Sequence, residues 1–244
     1  MDERVSDQCA RPDGPGLRLT DDGAVISVVS RHAERIVVCL FDDADNEIAH
    51  ATLAQRDGDL HYGFVSDLRA GRKYGLRADG PWDPRAGHRF DPAKLLVDPT
   101  ARRLDRPFVF DPALCLPRER AVDTARLVPK AIAEHPLALI DPAPARTPDF
   151  IYEVSVKAHT MRDERVPHHL RGTLAGLACP HVVERFVRLG VTHIELLPIA
   201  AWIDERHLSR LGLTNAWGYN PVSYMALDPR LAPDGMADLR AAVA

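Results

Sequence analysis

The chain has few cysteines and no run of apolar residues long enough to span a bilayer, and each shortage removes a class of protein. Its four cysteines, Cys9, Cys39, Cys115 and Cys179, are widely separated in 244 residues and form no C-x-x-C pair. That spacing excludes a dense disulfide scaffold and a thiolate metal site, and fits reduced thiols in a cytoplasm. Nowhere do about eighteen apolar residues follow one another, and the N-terminus MDERVSDQCARPDGPG has no apolar signal region. The sequence therefore predicts a cytoplasmic protein with no membrane partner. Dense Lys/Arg clusters interleaved with aromatics are missing too, and the formal net charge is −4. A phosphate-coated partner would be weakly repelled, so nucleic acid is not expected. A neutral polymer held by hydrogen bonds and ring stacking is compatible with this charge.

What remains is an ordinary folded composition, 45% apolar and 27% charged, at a length that favours two units over one. From Leu17 to about Asp79, short runs rich in β-branched residues alternate with Asp/Asn/Gly turns: Ala24 to Ser30, Arg35 to Phe41, Glu47 to Thr52, His61 to Ser66 and Lys73 to Ala78. They predict an antiparallel, immunoglobulin-like β-sandwich over residues 15–79, preceded by a flexible stretch over 1–14. Its few aromatics, Phe41, Tyr62, Phe64 and Tyr74, sit at alternating strand positions and are expected in the core.

Twelve prolines between Gly80 and Pro148 exclude long helices and central strands there. Residues 80–148 are predicted to be a connector packed on its neighbours, since it carries apolar patches such as Pro107-Phe108-Val109-Phe110. From residue 149 the pattern turns to β, α, β, α: strand Phe150 to Lys157, helix Pro180 to Leu189, strand Thr192 to Leu197, helix Met236 to Ala244. Such alternation implies parallel pairing. Two parallel strands do not complete a domain, so the unit over 149–244 is expected to be truncated.

Several stretches are specific enough to carry a resemblance. Asp79 to Pro92 (DGPWDPRAGHRFDP), Phe150 to Thr160 (FIYEVSVKAHT), Leu170 to Leu177 (LRGTLAGL), Leu189 to Trp202 (LGVTHIELLPIAAW) and Leu213 to Pro221 (LTNAWGYNP) fall in one order. In that order they resemble the front portion of bacterial glycogen-debranching enzymes of the isoamylase type, in the α-amylase superfamily, glycoside hydrolase family 13. The resemblance implies a sandwich similar to carbohydrate-binding module family 48, followed by the first two βα units of an incomplete TIM (β/α)8 barrel. It implies hydrolysis of α-1,6 branch linkages in glycogen or limit dextrin, with α-glucan as partner and no cofactor. It places the Asp nucleophile and Glu acid on the fourth and fifth barrel strands, beyond residue 244. The chain alone is then expected to be inactive, with no catalytic residue and no metal ligand, and the missing part of the barrel as a further partner.

In such barrels the site lies in the loops after the strands. The resemblance puts Trp217, Tyr219 and Asn220 in the loop after the second strand, as a sugar-binding wall with Tyr219 stacked on a ring. Glu153 and Glu195 can be drawn as a carboxylate pair, but they lie inside predicted strands, where an ion pair with Arg or Lys is the usual fate. His168-His169 reads as solvated loop, His159 and His207 as residues of strand-to-helix loops, and Asp204 to His207 as the polar run of a short helix. Ser155, Ala158 and Leu174 stand where the family commonly has His, Gly and an aromatic. Two other functions fit the same front architecture: a non-catalytic glucan-binding module, and a fragment of a maltooligosyltrehalose trehalohydrolase or branching enzyme.

Overall fold

The computed structural model describes residues 10–138 and 147–244. Seven strands come first: β1 (Gly16–Thr20), β2 (Gly23–Val29), β3 (Arg35–Phe41), β4 (Glu47–Thr52), β5 (Gln55–Asp57), β6 (Leu60–Val65) and β7 (Lys73–Asp79). After the short strands β8 (Trp82–Asp83) and β9 (His88–Arg89) comes β10 (Ala131–Ile132). Apart from β8 and β9, which pair with each other, they form two antiparallel sheets, in the orders β1-β2-β6-β5 and β10-β7-β3-β4. The alternation in the sequence becomes inward-facing rows: Ala24, Ile26 and Val28 of one sheet meet Ile36, Val38, Leu40 and Leu76 of the other in one core. Each such side chain contributes about 1.5–3 kcal/mol of transfer free energy on burial. The expected β-sandwich is present, with β1 and β5 as edge strands that the sequence patterns did not mark.

The outer face of the second sheet is covered as well. Cys39 and Phe41 pack outward against Leu95, Ala125 and Val128 of the proline-rich stretch. That stretch has no long helix among its described residues, but β10 extends the sheet through Ala131 opposite Tyr74. Lys130, beside it, is fully buried. Its Nζ donates to the carbonyls of Ala125 at 2.6 Å and Val128 at 2.9 Å and to Asp45 Oδ2 at 3.2 Å. The ammonium also lies 4.7 Å from the centroid of the Phe41 ring. Phe41 and Tyr74 are buried as expected, while Tyr62 and Phe64 are half-buried. The stretch read as flexible, 1–14, lies outside the described residues from 1 to 9, as does Cys9, and so do Pro142 and Pro144 of the connector.

The remaining elements are β11 (Ile151–Val154), α1 (Val156–Thr160), α2 (Leu174–Leu177), α3 (Pro180–Arg188), β12 (His193–Leu196), β13 (Ala200–Trp202), α4 (Arg206–Arg210), β14 (Pro221–Leu227) and α5 (Met236–Val243). The parallel pairing holds, with Ile151 opposite His193 and Val154 opposite Leu196. The strand expected over 150–157 is shorter, because the Ser155 hydroxyl accepts from the Ala158 N–H at 3.3 Å and caps α1 at once. The simple β, α, β, α order is also interrupted. After β12 the chain forms an antiparallel hairpin, β13 against β14, before α5.

That hairpin faces both halves of the molecule. Ala201 and Ala226 lie in the sandwich core, and Trp202 and Leu227 lie in a second core with Val154, Val166, Leu174 and Phe186. Arg103, in the proline-rich stretch, donates to the Pro233 carbonyl at 3.3 Å and Asp234 Oδ1 at 3.2 Å. The α/β part is thus pinned to the sandwich at several points.

Candidate functional site

The loop between α4 and β14 presents two large aromatic rings to solvent. Trp217 is 64% exposed and Tyr219 67%, although aromatic side chains of this size are usually well covered. The loop beneath them is held rigidly by Asn215, which is buried. Its Oδ1 accepts from the N–H groups of Trp217 at 2.9 Å and Gly218 at 2.8 Å, an Asx turn that fixes the reversal. Its N–H donates to Asp204 Oδ1 at 2.7 Å, and its Nδ2 to Glu205 Oε1 at 3.0 Å. The polar run Asp204 to His207 therefore divides: the two acids anchor the loop, and Arg206 and His207 start the exposed helix α4. Gly218 adopts φ 80°, and a Cβ there would come within 2.9 Å of the Pro198 carbonyl oxygen. Only glycine fits this position.

A second layer supports the first. The Trp202 indole N–H donates to the Asn215 carbonyl at 3.1 Å, and Arg230 lies 3.8 Å over the Trp202 ring. Arg230 is itself clamped on fully buried Asp228 by two bonds, 2.7 and 2.8 Å. Asn220 is half-buried, and its Nδ2 donates to the Ile203 carbonyl at 3.0 Å while its own carbonyl accepts from the Ile203 N–H at 3.2 Å. Of the three residues singled out in the sequence, Trp217 and Tyr219 are free to face a ligand, and Asn220 closes the base of the loop. Asn215 was missed, although an Asn two residues before an exposed Trp in a glycine-bearing turn is the signal that finds it.

The other candidates separate from this loop. Glu153 and Glu195 stand opposite one another in the β11–β12 register, on an exposed face. No ion pair reaches either among the described residues, so the expected Arg or Lys partner is absent. His159 lies in α1 and not in a loop, stacked on Phe186 with ring centroids 5.0 Å apart. His168 and His169 occupy an exposed turn, and His207 lies in α4. Among the described residues no group of three or more His, Cys, Asp or Glu side chains is arranged to hold a metal ion. No helix among them is long and apolar enough to cross a membrane.

Residues 14–101 match the model of carbohydrate-binding module 48, the isoamylase N-terminal domain. A glycogen debranching enzyme of Escherichia fergusonii is 42% identical over 223 residues, which cover 88% of this chain and 33% of that protein. One from Klebsiella pneumoniae is 39% identical over 232 residues, 92% of this chain and 35% of that protein. The chain thus spans about a third of the length of these curated relatives. Among solved structures, the pullulanase SAP of Group B Streptococcus in complex with maltotetraose superposes with a TM-score of 0.67 at 20% identity, over 96% of this chain and 32% of that one. The pullulanase of Anoxybacillus sp. LM18-11 complexed with maltotetraose gives 0.64 at 18% identity, over 96% and 33%. At these identities the likeness speaks for the fold alone. Residues 14–101 are therefore similar to a family 48 carbohydrate-binding module, the isoamylase N-terminal domain, and the chain is similar to glycogen debranching enzymes along about a third of their length.

Proposed function

We propose that this chain is the N-terminal part of an enzyme that hydrolyses α-1,6 branch linkages in glycogen or limit dextrin. In this reading 15–79 is the sandwich module, 80–148 the connector, and 149–244 the start of a catalytic (β/α)8 barrel whose first two strands are β11 and β12. A cytoplasmic location suits such a substrate. The observation that carries the reading is the exposed Trp217–Tyr219 pair on a loop locked by Asn215. Flat aromatic faces bind the C–H faces of sugar rings, and rigidity lowers the entropy lost when a glucan docks. The relatives named glycogen debranching enzyme support the choice of substrate.

The chain by itself is not expected to cut. Retaining hydrolysis needs a nucleophilic carboxylate and a protonated carboxylic acid roughly 5 Å apart across the bond. Glu153 and Glu195 lie within neighbouring strands on an exposed face and not in the loops after the strands, where the chemistry of a (β/α)8 barrel sits. The match to a carbohydrate-binding module also favours a second reading, a purely glucan-binding role for the isolated chain.

Affinity electrophoresis in glycogen gels, run beside a reducing-sugar assay on limit dextrin, tests both readings. The chain should be retarded without releasing sugar, and Tyr219→Ala or Asn215→Ala should weaken retardation by roughly tenfold, the effect of losing about 1.4 kcal/mol. Release of sugar that disappears in Glu153→Gln or Glu195→Gln would overturn the proposal of an inactive front part. Unchanged retardation in both loop variants would remove the loop from the binding site.

A further inference from the structure

Two histidines far apart in the sequence meet where the sandwich joins the connector. His32, exposed in the turn between β2 and β3, lies against half-buried His88 of β9, with ring centroids 4.6 Å apart and planes inclined by 70°. Neither ring makes a hydrogen bond or ion pair with another of the described residues. Both supports are fixed before any ligand arrives. Arg56 donates to the carbonyls of Arg31 at 2.9 Å and Ala33 at 3.1 Å, one on each side of His32. Arg118 donates to the carbonyls of Gly80 and Phe90, both at 3.1 Å, which are the two feet of the β8–β9 hairpin. Gly80 packs so closely on the turn that a Cβ there would come within 2.8 Å of the His32 carbonyl oxygen. The Glu34 N–H also donates to the Asp79 carbonyl at 2.9 Å. Turn and hairpin are thus one rigid support, and ligands held in place beforehand lose less entropy on binding.

Imidazole suits late divalent transition ions, which bind about 2.0–2.1 Å from a ring nitrogen. Two imidazoles on one ion then have centroids roughly 4.5–5.3 Å apart, for N–metal–N angles between about 90° and 109°. The observed 4.6 Å falls inside that span. The terminal torsion of histidine is soft, so each ring can turn a nitrogen towards a shared ion. Asp83 stands opposite His88 in the hairpin register, where paired side chains share a face. Its Oδ1 accepts from the N–H groups of Arg85 and Ala86, and its Oδ2 has no partner among the described residues, which leaves negative charge beside the pair. No third His, Cys, Asp or Glu among the described residues is arranged to ligate directly, so water completes the coordination.

We propose that His32 and His88 bind one late divalent transition ion, Zn²⁺, Ni²⁺ or Cu²⁺, which staples the sandwich turn to the hairpin at the head of the connector. The site shares no residue with the Trp217–Tyr219 loop and does not depend on the glucan reading.

The full chain is stripped with EDTA and titrated with ZnCl₂ by calorimetry, beside thermal melts and electron paramagnetic resonance with CuCl₂. Zn²⁺ at about a hundredfold excess over its Kd should raise Tm by roughly 5 °C or more, and MgCl₂ should not, because Mg²⁺ prefers oxygen ligands. His32→Gln and His88→Gln should each weaken Zn²⁺ binding about tenfold or more, and the double variant should lose little beyond either one, because one ion needs both rings. His168→Gln, in the exposed turn before α2, should bind as the wild type does. Melts in EDTA check that the variants keep the fold. The first equivalent of Cu²⁺ on the wild-type chain should show coupling to two nitrogens. A chain that binds no ion, or binds Zn²⁺ equally well in both single variants, overturns the site and leaves His32 and His88 as an edge-to-face ring contact. A Cu²⁺ spectrum with a single coupled nitrogen overturns it too, and that measurement needs no variant to fold.

Discussion

His61 and His159 are both held neutral by their surroundings. His61 is almost fully buried, with Nε2 3.1 Å from the Ser30 carbonyl. Burial pushes its pKa below 6.5 against the opposing pull of that carbonyl, and Arg56 adds to the depression. His159 is shifted the same way, first by burial and then by Arg185. In the unfolded chain both take up a proton as the pH drops through about 6.5, whereas the folded chain resists until lower pH. The unfolded state therefore binds more protons in that window, so stability is intact above 6.5 and falls below it. Thermal melts should show Tm decreasing between pH 7.5 and 5.5, with a shallower slope in His61→Gln. Asp45 titrates in a separate window. Burial raises its carboxyl, but Lys130, Arg106 and Lys73 outweigh burial and hold it below 3.8, so its contribution is present above 3.8 and lost only in stronger acid. Identical slopes in the wild type and the His61 variant would show that His61 plays no part in the upper window.

At the scale of elements, the proline-rich stretch is a strap across the sheet and not a passive link. Lys130 draws Asp45, two strap carbonyls and the Phe41 ring together, with Arg106 paired to Asp45 at 2.8 Å beside it. Lys130→Ala should cost about 3–5 kcal/mol, the scale found when one partner of a buried pair is removed, while Lys130→Met, which keeps the stem, should cost less. Equal midpoints for both variants in urea would contradict this. Packing of this stretch on its neighbours was expected from its apolar patches, but its buried lysine was not legible in the sequence, because the bond to Asp45 joins residues 85 apart and carries no local period. Strands β2, β3, β4, β6 and β7 were legible, since alternation and Asp/Gly turns are local signals. So was α3, with Pro180 at its start and Gly190 at φ 74° after its end. The strand at 150–157 was overextended because Ser155 serves equally well as a strand residue and as a helix cap. The hairpin β13–β14 was hidden because its register is irregular and eighteen residues separate the two strands. Trp217 and Tyr219 came from resemblance alone. The Asn215 turn beneath them is a local signal, but its buried acids and Trp202 are not.

For the whole molecule, the two larger cores meet along one hairpin, and the loop proposed to face a glucan sits on the α/β side. The account holds that this chain does for an α-1,6-glucosidase what the aligned third of its relatives does for them. The most direct test replaces the aligned region of the Escherichia fergusonii glycogen debranching enzyme with these 244 residues and assays debranching of limit dextrin. The account predicts an active chimera whose kcat/KM drops at least tenfold on Tyr219→Ala, with little change in Tm. A chimera that melts cooperatively but leaves the branch linkages intact would contradict it.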